Sequence, residues 1–224
     1  MNAFYELNRV LQWLVALLML VMAGGVTYLW FELFENNLVM LFLIFVITPV
    51  LQFLIAPSMK LIGMYRYVSP MLLIYAPNKK KFDLHNGTSF DYIFIYPKKG
   101  RRVRWQNLML HYYLEGLLAI VDEIEQKKIP ETIEIRGSSY FFSSRTAQKL
   151  GFDVKTAPMA EKLNILINYL DLLWMYSLAN GRFSLPKLNV IKTATTTGKR
   201  LAENRGELER MNRILSNRMT ATRQ

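Results

Sequence analysis

The sequence contains no cysteine and only two histidines, His85 and His111, among its 224 residues. The absence of cysteine excludes disulfide bonds, thiolate nucleophiles, iron–sulfur clusters and cysteine-ligated zinc. A metal site would have to rest on carboxylates, and no group of aspartate and glutamate residues has the spacing of metal ligands. We therefore expect neither a metal nor another cofactor.

Charge is missing from two long stretches near the N-terminus. Residues 10–31 and 38–56 contain no Lys, Arg, Asp or Glu, and each stretch is long enough to cross about 30 Å of hydrocarbon. The first is too long for a secretory signal peptide, and no cleavage signature follows it. The sequence predicts a transmembrane helical hairpin over residues 10–56, in preference to two buried helices of a soluble protein. Within it, Gly24 and Gly25 allow close helix packing.

The positive charge of the chain lies after the apolar region. The formal net charge is +11, yet the charged residues up to Lys60 are only Glu6, Arg9, Glu32, Glu35 and Lys60. The connector between the spans has no Lys or Arg, whereas basic residues flank their outer ends. By the positive-inside rule, the N-terminus (residues 1–9), the C-terminus and the soluble domain are cytoplasmic. We expect an integral protein of a bacterial inner membrane.

The remainder of the chain predicts a soluble domain over residues 71–185, reached through a juxtamembrane connector over residues 57–70. Hydrophobic periodicity and turn signals predict a small sheet covered by helices, a membrane-anchored α/β (α+β) fold. The predicted strands cover residues 71–76, 90–96, 132–136 and 152–154. The predicted helices cover residues 106–128, 145–150 and 159–179.

Residues 186–224 differ in composition and are predicted to form a basic tail. The tail holds nine Lys and Arg residues against three Glu residues, and its TATTTGK section is predicted to be disordered. From residue 201 onward the spacing predicts an amphipathic helix. We interpret its apolar face as the contact with a protein partner or with anionic lipid. That face comprises Leu201, Leu208, Met211 and Leu215.

The stretch DLHNGTSFDYIFIY, residues 83–96, leaves two interpretations open. Membrane glycerolipid acyltransferases separate a catalytic His and Asp by four residues, whereas five separate His85 from Asp91. In one interpretation Asp91 orients His85 as a general base. In the other, Asn86-Gly87 is a turn that begins a strand with an aromatic face. We favour the turn and strand.

A cluster of basic residues follows that stretch, and its composition predicts contact with anions or with a lipid surface. An anionic membrane leaflet attracts such clusters over about one Debye length. A passive solvated face and a nucleotide or nucleic-acid site are the alternatives, and we do not expect nucleic acid. The cluster comprises Lys98, Lys99, Arg101, Arg102 and Arg104.

The order of predicted elements over residues 92–154, with the motif RTAQKLGF at residues 145–152, loosely resembles the latter half of acetyl-coenzyme-A-dependent N-acyltransferases. That family holds the cofactor pyrophosphate on backbone N–H groups of a Gln/Arg-x-x-Gly-x-Gly/Ala loop between strand and helix. This chain has KKGRRVRW at residues 98–105, with one glycine. The resemblance implies an α/β fold for the domain.

These observations predict a docking or scaffold subunit of a larger membrane-associated assembly. The expected partners are the anionic leaflet and other protein subunits, and self-association stays open. The alternative is a membrane-bound acyl- or group-transfer enzyme that uses His85 and Asp91. A third hypothesis is a small-ligand sensor whose domain drives association of the hairpins.

Overall fold

The computed structural model describes residues 3–95, 105–139, 144–186 and 192–221. Over these ranges the protein is α+β, with nine α-helices and a six-stranded mixed sheet. Short 3₁₀ helices at Ala3–Glu6 and Leu38–Leu43 precede the first and second α-helices. The α-helices are α1 (Arg9–Asn36), α2 (Ile44–Leu61), α3 (Ser89–Ile95), α4 (Trp105–Glu125), α5 (Ser144–Lys149), α6 (Met159–Ile167), α7 (Tyr169–Asn180), α8 (Gly198–Glu203) and α9 (Arg205–Ala221).

The sheet has the strand order β1-β2-β3-β4-β6-β5. β3 and β4 pair in parallel, joined by a crossover that contains α3 and α4, and the other four pairings are antiparallel. The strands are β1 (Tyr65–Ser69), β2 (Leu72–Tyr75), β3 (Lys81–Asn86), β4 (Glu134–Ser139), β5 (Asp153–Thr156) and β6 (Lys192–Thr197). The parallel pair thus lies in the middle of the sheet.

Two N-terminal helices are long and apolar enough to cross a membrane. The segment Arg9–Asn36 has 28 residues and a mean hydropathy of 2.1 over its most apolar 18 residues, and the segment Leu38–Leu61 has 24 residues and a value of 2.8. Only 17% and 6% of those stretches, respectively, are buried within the protein. Their outward faces are therefore apolar surfaces that no described part of this chain covers.

The two long helices pack on each other through small side chains. Ala16 and Ala23 are buried between them, and the Ser58 hydroxyl donates to the Ala16 carbonyl oxygen at 3.4 Å. A side chain added at Gly24 or Gly25 would meet no atom within 4 Å. The prediction that these glycines mediate helix packing within the hairpin was wrong, because the helix faces that meet carry alanines.

The core of the domain is built around α4, whose inner face packs on β1 and β2. Gly116 makes this approach close, since a Cβ there would lie 2.7 Å from Leu72 Cδ2 and 3.0 Å from Val68 Cγ2. α9 packs on α4 and buries Leu208 and Leu215. The domain therefore extends to the last described helix.

Five predicted elements are confirmed by the structure. Each was predicted from its hydrophobic periodicity or from flanking turn signals. They are the strands at residues 71–76, 132–136 and 152–154 and the helices at residues 106–128 and 145–150.

Two predictions about local structure were wrong, and a third was right except for one break. Residues 90–96 were predicted as a strand, but Ser89–Ile95 forms α3, because Asn86-Gly87 ends a strand instead of starting one. The predicted helix over residues 159–179 is broken at Asn168 into α6 and α7. The TATTTGK section is not disordered, since Lys192–Thr197 forms β6 and pairs with both β4 and β5.

Besides β6, two strands were missed by the sequence prediction. β1 occupies part of the predicted juxtamembrane connector, because α2 ends at Leu61 and the chain turns through Gly63, whose φ is +83°. β3 follows an Asx turn in which the Asn78 side chain accepts from the backbone N–H groups of Lys80 and Lys81. β1 connects α2 to the sheet, and β3 supplies one strand of the parallel pair.

Candidate functional site

Asp91 is the centre of a buried polar cluster where the long helices meet the domain. Its side chain is fully buried, and its Oδ2 atom accepts hydrogen bonds from the Tyr67 hydroxyl at 2.6 Å, the Thr88 backbone N–H at 2.8 Å and the Thr88 hydroxyl at 2.9 Å. The two bonds from Thr88 fix the start of α3, because the carboxyl group reaches back to the residue that caps the helix. The bond from Tyr67 joins α3 to β1.

Aromatic rings surround this cluster and connect it to the N-terminal segment. Tyr5 lies 5.5 Å from Tyr67 between ring centroids, and Phe4 lies 5.2 Å from Phe90. Phe53 of α2 also contacts Phe90, at 5.4 Å. We call the set Phe4, Tyr5, Phe53, Tyr67, Phe90 and Asp91 the junction cluster. It contacts the N-terminal segment, α2, α3 and β1 within one packed group.

Burial raises the pKa of Tyr5 and of Tyr67 well above the ordinary range, and the neighbouring Asp91 raises both further. Both phenols therefore keep their protons at neutral pH, and Tyr67 remains a donor. Gln12 of α1 secures the same region, since its amide donates to the carbonyl oxygens of Tyr5 at 3.1 Å and Leu7 at 2.7 Å. The junction cluster is suited to holding elements together rather than to catalysis.

The structure does not bring His85 and Asp91 together as a catalytic pair. The His85 ring lies at 5.7 Å from the Tyr75 ring on the neighbouring strand, and its charged neighbours are Asp83 and Lys81. Asp91 is instead engaged by Tyr67 and Thr88. Within the described residues, nothing orients the imidazole as the dyad hypothesis requires.

A cavity of about 50 Å³ lies between the sheet, α4 and α5. Apolar side chains from both helices and from three strands form most of its wall, among them Leu84, Tyr113, Leu117, Leu150, Phe152 and Val154. A water molecule needs roughly 10–15 Å³ by the same kind of measure. The cavity therefore has room for a short apolar group.

Two polar side chains, Lys192 and Ser144, line one part of this cavity. The Lys192 ammonium donates to the Ser144 hydroxyl oxygen at 2.6 Å. A lysine has three N–H donors, so two remain for other acceptors, and the serine O–H is a further donor. The pair is suited to an anionic or strongly polar group attached to an apolar chain.

The four apolar residues assigned to the tail helix face the interior of the domain. Leu201 and Leu208 are fully buried, Leu215 is 7% exposed, and Met211 packs against the same core. The helices that carry them, α8 and α9, pack chiefly on α4. The predicted basic cluster, comprising Lys98, Lys99, Arg101, Arg102 and Arg104, lies outside the described residues.

Asp171 on α7 is a second buried carboxyl group. It is 8% exposed and accepts a hydrogen bond from the Trp174 indole at 3.0 Å. Burial raises its pKa from 3.8 to about 6, against the opposing effect of the hydrogen bond from Trp174. Near the same helix, the Gln52 amide of α2 donates to the Asn168 side-chain oxygen at the break between α6 and α7.

Sequence reasoning missed the junction cluster and the cavity. The pattern Thr88-x-x-Asp91 ahead of an apolar run is a helix-start signal, and it would have identified Asp91 as a capping residue. No comparable signal marks Lys192 and Ser144. Over the described ranges, no group of three or more His, Asp or Glu residues could hold a metal ion.

Comparison of the chain with protein families, with curated proteins and with solved structures found no match.

Proposed function

We propose that this chain is a two-span membrane protein that holds its α+β domain at the cytoplasmic membrane surface as a docking subunit. α1 and the segment Leu38–Leu61 would cross a bacterial inner membrane, with the N- and C-termini on the cytoplasmic side. The single observation that carries the proposal is the junction cluster, because it fixes the domain to α2 and to the N-terminal segment that precedes α1. A domain held in this way has a defined orientation toward partners.

The docking surface in this proposal is the outer face of α9. Leu208 and Leu215 of that helix pack inward, and its outward face carries Arg210 and Arg213, both exposed. Arg210 pairs with Glu207 at 2.6 Å, which leaves Arg213 as the more available cation. Such a face suits an acidic protein surface or anionic lipid headgroups.

Purification of the tagged full-length protein from crosslinked native membranes tests this proposal. We expect a set of proteins that copurifies with the wild type and is lost with Arg213→Glu. Lys128→Glu, a charge reversal at another exposed position, is the matched control and should keep the set. An identical set for all three proteins would count against docking through α9.

A second candidate function is acyl- or group-transfer that uses the cavity instead of His85 and Asp91. One observation favours it: the Lys192–Ser144 pair beside an apolar cavity. The resemblance to acetyl-coenzyme-A-dependent N-acyltransferases adds no support, because its first predicted strand, at residues 90–96, falls on α3. The cavity would take the acyl chain, and the ammonium group would bind an anionic part of the ligand.

Release of free coenzyme A from acyl-coenzyme A distinguishes this candidate. The protein has no cysteine, so thiol-reactive dyes report released coenzyme A without a protein background. We expect activity in the wild type and in Lys155→Met, an exposed lysine, and a loss in Lys192→Met. No release with any amine acceptor, or equal release in all three proteins, would remove the cavity as an acyl-transfer site.

A further inference from the structure

α6 presents an apolar face that no described part of the chain covers. Met159, Leu163, Leu166 and Ile167 are 69%, 48%, 53% and 49% exposed. Their spacing of four, three and one residues places them on one side of the helix. Single exposed leucines are common on protein surfaces, but four on one helical face form a continuous patch.

The apolar surface continues beyond the two helices and lacks solvent-facing charge. Phe183 and Leu185, just after α7, are 75% and 60% exposed. Between residues 163 and 181 the only charged residue is Asp171, which is buried. Exposed Lys162 and Arg182 flank this region, where long basic side chains can reach lipid headgroups while the residues between them contact acyl chains.

The position of α6 and α7 relative to α2 sets their depth in the membrane. α7 packs on α2, and the Gln52–Asn168 hydrogen bond joins the α6–α7 break to that helix. Gln52 lies four residues before Ala56, the end of the uncharged stretch, which is about 6 Å along a helix axis. Amphipathic helices that lie on membranes bury their apolar face about 5–10 Å into the headgroup and acyl boundary.

From these observations we propose that α6, the α6–α7 break and the segment around Phe183 form a monotopic element that inserts into the cytoplasmic leaflet beside α2. The occupant of the exposed face is lipid, because the helix break beside the face is hydrogen-bonded to a membrane-spanning helix and the face is bordered by cations. This inference rests on the proposed membrane anchoring. It adds a third contact with the bilayer, which would fix the tilt of the domain.

The absence of native cysteine permits a direct test with single-cysteine variants of the full-length protein. Each variant carries an environment-sensitive fluorophore and is reconstituted in vesicles that contain phosphatidylethanolamine and phosphatidylglycerol. The test positions are Leu163 and Ile167. Val21, which is 67% exposed on α1, is the control for a spanning helix, and exposed Gln148 is the control for a water-facing site.

Quenching by aqueous iodide and by lipids with a quencher at shallow or deep positions gives the depth of each label. For positions 163 and 167 we expect strong quenching by the shallow lipid and a several-fold lower iodide quenching constant than at position 148. Position 21 should respond to the deep lipid. Circular dichroism and elution volume in detergent confirm that each labelled protein is folded.

Two outcomes would overturn the inference while membrane anchoring stands. If positions 163 and 167 respond to iodide as strongly as position 148 does, the face is in water. If they are protected from both iodide and lipid quenchers, protein covers the face, either a partner or a second copy. If position 21 also fails to respond to the deep lipid, the proposed anchoring itself is wrong.

Discussion

Replacement of Tyr67 by phenylalanine isolates one hydrogen bond of the junction cluster. The substitution removes the hydroxyl that donates to Asp91 at 2.6 Å and keeps the ring that packs on Tyr5 at 5.5 Å. A hydrogen bond to a charged group contributes about 1.5–3 kcal/mol to stability. Because the Asp91 acceptor is fully buried and no water replaces the missing donor, we expect the free energy of unfolding to fall by an amount near the upper end of that range.

Urea unfolding in mild detergent, followed by tryptophan fluorescence, gives the free energy of unfolding. Tyr75→Phe is the matched control, since Tyr75 lies on the next strand, is 42% exposed and keeps its ring contacts in the variant. We expect the control to change the free energy of unfolding by no more than about 0.5 kcal/mol. Equal effects of Tyr67→Phe and Tyr75→Phe would refute the role assigned to the junction cluster.

Three further predictions concern packing and ionisation. Gly116→Ala should lower the free energy of unfolding by about 1–3 kcal/mol in the same urea assay, because the added Cβ overlaps Leu72. In the control Gly206→Ala the added Cβ meets no atom within 4 Å, so the free energy of unfolding should change little or rise by up to about 1 kcal/mol. Leu208→Ala should lower the free energy of unfolding by about 2–5 kcal/mol if α9 belongs to the domain, and Ile214→Ala, at a site that is 39% exposed, should lower it far less. Equal effects of the two substitutions would indicate that α9 is a tail outside the domain core. The folded protein binds the Asp171 proton more tightly than the unfolded chain does, so the stability that comes from the protonated form is present below about pH 4 and is lost as the pH rises to about 6. Asp171→Asn should remove this pH dependence and raise the free energy of unfolding at pH 7.5 by up to about 3 kcal/mol. An unchanged pH profile of the variant would contradict the role of the buried carboxyl group.

The sequence predicted well those elements whose pattern is local. α4 and β2 have clear periodicity, and the hairpin is marked by the absence of charge over two long stretches. The prediction for residues 90–96 was wrong because α3 is buried on two sides. Phe90 packs in the junction cluster and Tyr92 in the domain core, so apolar residues that fit an alternating strand also fit a helix between two cores.

The structure of the tail could not be predicted because its stabilising contacts are distant in sequence. β6 is rich in threonine, which suits a strand, but its two partners lie about 40 to 60 residues earlier in the chain. The candidate sites could not be predicted for the same reason, since their residues are distant from one another in the sequence. Lys192 meets Ser144 only because β6 inserts between β4 and β5, and no local window contains both residues.

The side of the membrane on which each segment lies tests the central claim most directly. Single cysteines at Asn37, in the connector between the long helices, and at Gln148, in the domain, are labelled in intact spheroplasts with a membrane-impermeant maleimide, before and after permeabilisation. The two-span arrangement predicts labelling at position 37 in intact spheroplasts and at position 148 only after permeabilisation. Equal labelling of both positions in intact spheroplasts, or release of the protein from membranes by alkaline carbonate, would contradict it.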